Sequence, residues 1–148
     1  MGKTHLAVAL ALEALRRRHK VKFTTAAAMV ASLAEAERIG TFARRLAIFS
    51  GPALLVIDEI GFLPLDASQA NLFFQVVSRR YEQGSIILTS NKSYGEWAEV
   101  FSGDAVIAAA VLDRLLHHST TISIKGESYR LKDKKRAGLV AARNATTE

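Results

Sequence analysis

Leu54-Leu55-Val56-Ile57-Asp58-Glu59 is the stretch on which the fold turns. Its first four residues are all apolar, so a strand built from them is apolar on both faces. Such a strand suits the interior of a parallel sheet, with helices above and below it. A solvent-facing strand would alternate apolar and polar residues. Two carboxylates follow at once. In open α/β sheets ligands bind beyond the carboxyl ends of the strands. The same six residues therefore indicate both a fold class and the place of a site.

The neighbouring segments fit that reading. Val21–Thr25 alternates and predicts a strand. Ser85–Thr89 predicts a second buried strand, and Thr120–Ile124 predicts another before the turn at Lys125-Gly126. Helical spacing runs through 4–19, 26–38, 41–49 and 67–82. A short helix is expected over 94–101, and one from the Asp104 cap to Leu116. Gly40, Gly51-Pro52 and Gly84 separate the pieces. Strands spaced by helices predict a parallel sheet with crossover helices.

Four places could carry chemistry. Gly2-Lys3-Thr4 is the second half of a phosphate loop, G-x-x-x-x-G-K-[ST], at the start of a helix. The unpaired N–H groups and the dipole there favour phosphate. Asp58-Glu59 could hold Mg²⁺ and polarise a water, or be a solvated acid pair. Asn91, after the Ile86-Ile87-Leu88 strand, could orient an attacking water, or only form a turn. Arg114 and Arg130 could stabilise a transferring phosphoryl group.

Other groups are less directed. Arg79-Arg80 and Lys132, Lys134, Lys135 and Arg136 could contact a DNA backbone. Trp97, Tyr94 and Phe101 read as packing residues rather than base-stacking ones. His117-His118 has no carboxylate or further histidine suitably spaced for a metal, so a helix C-terminal dipole partner is the reading.

Taken together, these segments resemble a known family. Gly-Lys-Thr-His-Leu-Ala at 2–7 resembles the phosphate loop of bacterial initiator and helicase-loader ATPases of the AAA+ class. Leu54–Gly61 resembles their second nucleotide motif, Walker B. Asn71–Glu82, Ser85–Lys92, Gly95-Glu96-Trp97, Leu112–His118 and Gly126–Leu131 resemble IstB, the ATP-binding transposition helper of insertion sequences. The resemblance covers nearly the whole chain and implies a P-loop NTPase (AAA+) three-layer α/β sandwich with a mainly parallel sheet. The chain opens at Met1 with half of the phosphate loop, so the resemblance also implies a truncated copy lacking the first, central strand. It implies a partial ATP-binding domain over 1–131 and a basic tail over 132–148.

The resemblance also implies roles. Gly2, Lys3, Thr4 and Asp58 would bind ATP, with Thr4 and Asp58 holding Mg²⁺. Glu59 would be the hydrolytic base, Asn91 the γ-phosphate sensor, Arg114 the finger offered to a neighbouring subunit and Arg130 the second sensor. The partners implied are duplex DNA, a transposase of the same element and further copies of the chain in an ATP-dependent oligomer. A DnaC-like helicase loader and a DNA-binding remnant without turnover are the alternatives.

Composition bounds these readings. The 148 residues carry a formal net charge of +6, which favours a polyanionic partner. There are no cysteines, which excludes disulfides and thiolate metal sites. No apolar run approaches the ~18 residues of a membrane span. No secretory pattern opens the chain, so the expected location is cytoplasmic.

Overall fold

The computed structural model describes residues 2–125. The elements run α1 (Lys3–Arg16), β1 (Val21–Thr25), α2 (Ala26–Arg38), α3 (Phe42–Ser50), β2 (Leu54–Ile60) and α4 (Ala67–Arg80). Then follow β3 (Ser85–Ser90), a 3₁₀ turn (Tyr94–Glu96), α5 (Trp97–Val100) and α6 (Ala105–Leu116). The sheet is parallel in the order β1-β2-β3, so the doubly apolar strand lies in the middle, as expected. Thr4–Thr120 form one unit, and Gly2, Lys3 and Thr121–Lys125 belong to a second. The expected boundary at residue 131 lies outside the described residues.

Local chemistry sets the helix starts. The Thr25 hydroxyl accepts from the Ala28 N–H at 3.1 Å and caps α2. Asp66 and Gln69 form a reciprocal capping box at α4. Asp104 accepts from the N–H groups of Val106 and Ile107, as the sequence led one to expect for α6.

One face of the sheet carries the larger core. There Leu55, Ile57 and Ile60 meet Met29 and Leu33 of α2, Phe73 and Val76 of α4, and Trp97, Phe101 and Val111. On the other face Leu54 and Val56 meet Ala7 and Ala11 of α1. These are the three layers.

Two expectations are corrected. Residues 120–124 form no strand. Alternation concerns side chains, whereas a strand also needs a partner for its backbone N–H and C=O groups. The three-stranded ladder does not include that segment. Arg80, offered as a DNA contact, is only 1% exposed. Its Nη1 donates to the carbonyls of Phe49, Ser50 and Pro52, and its Nη2 to those of Ala53 and Ser85. It therefore ties the loop before β2 to the start of β3. Burial pulls its guanidinium below the usual arginine range. Gly84, at φ +79°, leaves room for this group: a Cβ there would lie 2.7 Å from Arg80 Nη2.

Candidate functional site

Strand parity assembles the site. Leu54 and Val56 face α1, and Asp58 is the next residue of that parity. On β3, Ile87 packs with the same α1-facing cluster, so Thr89 shares that face. On α1, Ala11 and Ala7 cover Leu54 and Val56, and Thr4 lies one turn earlier on the same helix face. Helix and strand run in opposite directions, so Thr4 arrives at the carboxyl end of β2.

The contacts follow from that geometry. Thr4 Oγ1 donates to Asp58 Oδ1 at 3.2 Å, and Thr89 Oγ1 donates to the same oxygen. Thr89 Oγ1 also accepts from the backbone N–H of Glu59 at 3.0 Å. Asp58 is 4% exposed. Among the described residues no cation pairs with it; its partners are hydroxyls. A buried carboxylate without a cation is costly. An all-oxygen set of one carboxylate and two hydroxyls suits a hard divalent ion such as Mg²⁺.

Glu59 is placed differently. β2 does not end at Ile57: it continues through both acids to Ile60. Ile57 pairs with Leu88 and Ile60 with Ser90, so three steps on β2 span two on β3. That is a β-bulge, and Glu59, at φ +62°, takes the left-handed conformation within it. The bulge reverses parity, which returns Ile60 to the larger core. It leaves Glu59 exposed beside the buried Asp58. Glu59 also borders a recess of about 140 Å³ lined by Thr25, Val30, Ile60 and Leu65. That volume is below the ~300 Å³ at which ligand pockets typically begin.

Asn91 follows β3 and is exposed. A Cβ on Gly61 would lie 2.9 Å from Asn91 Oδ1. Gly61, at φ +83°, thus lets the loop after β2 close on the loop after β3. This brings Asn91 to the same end of the sheet as the acids.

Arg114 makes its contacts on α6 and α4. Its Nη1 donates to Ala110 O at 3.0 Å, and its guanidinium lies 4.7 Å from the centre of the Phe74 ring. Lys3 opens α1, and Gly2 precedes it. Arg79 is exposed on α4. Arg130, Lys132, Lys134, Lys135 and Arg136 lie outside the described residues. Trp97 and Phe101 are buried as expected, whereas Tyr94 is 43% exposed.

Thr89 was missed in the sequence. Like Asn91, it is a polar residue closing an apolar strand next to the acids. His117 and His118 also need correction. Glu82, 36 residues before His118, brings its carboxylate to within 3.3 Å of His118 Nε2.

Known proteins resemble this chain in sequence and in fold. The family described as IstB-like ATP binding protein matches residues 1–137. An ATP-binding protein of the insertion sequence IS21 from Pseudomonas aeruginosa is 51% identical over 146 residues, covering 99% of this chain and 54% of the relative. One of IS5376 from Geobacillus stearothermophilus is 51% identical over 91% of this chain and 53% of its own length. The chain thus spans about half the length of these curated relatives. Among solved structures, AMPPCP-bound DnaA from Aquifex aeolicus superposes with a TM-score of 0.68 at 22% identity, covering 96% of this chain and 44% of that one. The DnaC helicase loader gives 0.61 at 22%, covering 76% and 68%. These two likenesses show the fold alone, a layered α/β domain with a parallel sheet. Among the described residues, no helix is long and apolar enough to cross a membrane.

Proposed function

Because the chain belongs to the IstB-like ATP-binding family, we propose that its Thr4–Asp58 site serves MgATP in an insertion-sequence helper that acts on DNA with a transposase. The observation that carries this reading is the buried Asp58 carboxylate, met by the Thr4 hydroxyl at the carboxyl end of the central strand. Thr4 and Asp58 would hold the Mg²⁺, with Gly2 and Lys3 binding phosphate at the N-terminus of α1. The bound ion would neutralise charge on the phosphates.

The remaining roles belong to the protein's own groups. Thr89 orients the Asp58 carboxylate and holds the Glu59 backbone. The bulge leaves the Glu59 carboxylate exposed, open to an attacking water for which it would be the general base. Asn91 adds an amide at the same end of the sheet. Arg114, held against Phe74, would serve the nucleotide of a neighbouring copy, and Arg130 that of its own chain. Arg79, Lys132, Lys134, Lys135 and Arg136 would contact duplex DNA through its phosphates.

Equilibrium binding tests this reading. MgATP binds the parent chain, and Asp58→Asn and Lys3→Ala each weaken it at least tenfold. No affinity at millimolar nucleotide would overturn the reading for this chain. DNA retention should weaken steeply with salt, because phosphate contacts release counterions. Salt-independent retention would remove the DNA arm.

A further inference from the structure

A second cluster of ligating side chains stands outside the nucleotide site. α4 ends at Arg80 with Tyr81 as its cap, and α6 ends at Leu116 with His117 as its cap. The two C-terminal ends meet through stacked rings, Tyr81 on His117 at 5.9 Å between centres and His117 on His118 at 4.1 Å. Glu82 follows Tyr81 in the left-handed conformation, at φ +56°. Its carboxylate lies 3.3 Å from His118 Nε2. One donor atom each from Glu82, His117 and His118 lies within 4.8 Å of the other two.

We propose that Glu82, His117 and His118 form a site for a divalent transition-metal ion of the zinc class, fastening the end of α6 to the end of α4. Three observations support this. Two imidazoles and one carboxylate are a donor set that Zn²⁺ takes, with a fourth position left for water. The carbonyl ends of two helices converge there, and each carries partial negative charge that favours a cation. The Tyr81 hydroxyl bonds His117 Nδ1, which leaves Nε2 for an ion. Metal-ligating histidines characteristically engage their second ring nitrogen in this way. Donors around a tetrahedral zinc ion sit about 3.4 Å apart. From separations of up to 4.8 Å the required closure is at most about 1.4 Å, within the rotamer freedom of three exposed side chains.

The plain alternative is an exposed Glu82–His118 ion pair that binds nothing. Titration of the nucleotide-free 148-residue chain with Zn²⁺ alone separates the two, read by calorimetry and by melting temperature. The expected result is one Zn²⁺ per chain and a melting temperature that rises with the ion. Glu82→Gln and His118→Ala should each weaken binding at least tenfold and abolish the rise. His19→Ala should leave both unchanged. Both cluster substitutions are on exposed residues, and circular dichroism verifies that they fold. Equal Zn²⁺ affinity in the parent, Glu82→Gln and His118→Ala chains would overturn the proposal.

Discussion

The two faces of the sheet are covered by side chains of very different size. Beneath α2, α4, α5 and α6, the sheet meets Met29, Leu33, Phe73, Val76, Trp97 and Phe101. Beneath α1 it meets Ala7 and Ala11. The apolar residues of α1 that would add most area, Leu6, Leu10, Leu12 and Leu15, are 38–51% exposed. Full burial of a leucine or phenylalanine stabilises by about 1.5–3 kcal/mol, and a methyl group by roughly 0.8. Each turn of α1 is therefore held by less than a turn of α4. The candidate site joins the two regimes, since Asp58 sits on the central strand and Thr4 rides on the lightly held helix. Half of the site has the stability of the core, and half has the local stability of α1.

The largest expected effects lie on the heavy face. Arg80→Met strips donors from the carbonyls around the start of β2. At about 1–3 kcal/mol for each group left unpaired, the loss should exceed about 3 kcal/mol in urea unfolding. Phe73→Ala empties a fully buried position against Phe101 and should cost about 3–5 kcal/mol. Both should unfold the two faces together. A variant that melted only α1 would break the comparison.

A smaller and more local effect is expected at Ala7. It is 2% exposed between α1 and the sheet. Ala7→Leu overpacks that contact and should cost about 1–3 kcal/mol. Hydrogen exchange should accelerate in α1 while the β2 amides stay protected, and MgATP affinity should fall with α1 order. Equal acceleration in α1 and β2 would mean that the two faces unfold as one unit.

The heavy face was the more legible in the sequence. Leu54–Ile57, apolar on both sides, placed β2 in the middle of a parallel sheet, and caps such as Asp104 fixed helix starts through local chemistry. What could not be read depends on partners distant in sequence. The alternation over 120–124 resembled a strand because a pattern in one segment says nothing of its pairing. Arg80 looked like a surface cation beside Arg79, since its five carbonyl partners lie as far as 31 residues away. The site was legible in type: Thr4, Asp58, Glu59 and Asn91 do gather at one end of the sheet. The bulge at Glu59 was not, because it shows only when β2 is set against β3 and three steps face two. Thr89, whose importance rests on that pairing, went unseen with it.

Thr89→Val sharpens the comparison at the seam. The change keeps the shape and removes the hydroxyl that donates to Asp58 and accepts from the Glu59 N–H. Each of the two lost hydrogen bonds, with its partner left unsatisfied, costs about 1–3 kcal/mol. The expected signature is faster exchange of the Glu59 amide with little change in α1. Exchange rising first in α1 would place the hinge of the site on the helix instead.

The smallest expected effect tests whether exposed polar staples add measurably to the heavy face. Trp97 and Val100 of α5 are buried in the larger core, and the turn that leads into them is closed by polar groups. Ser93 donates its hydroxyl and its backbone N–H to Glu96 Oε2, and Lys92 Nζ lies 2.7 Å from Glu99 and 3.7 Å from Glu96. The Ser93 hydroxyl first, then the Ser93 N–H and Lys92, hold the Glu96 carboxyl below its ordinary value of 4.5. A carboxyl depressed in the folded state adds stability above its unfolded value and loses it as pH falls through the folded one. Lys92 is raised above 10.5, chiefly by its hydrogen bond and charge interaction with Glu99. Its contribution is therefore full below 10.5 and disappears as pH rises through the folded value. Both contributions are present together at neutral pH. Glu96→Gln should lower the melting temperature slightly there, and the difference from the parent should close as acid protonates Glu96. Glu96 is exposed and Lys92 partly so, and solvent screening keeps the effect small. Added salt should shrink the Lys92 part and spare the Ser93 part, because charge pairing at the surface is screened whereas the hydrogen bonds of the cap are not. A pH-independent difference between Glu96→Gln and the parent would mean that ionisation of Glu96 does not help to fasten the turn onto the core.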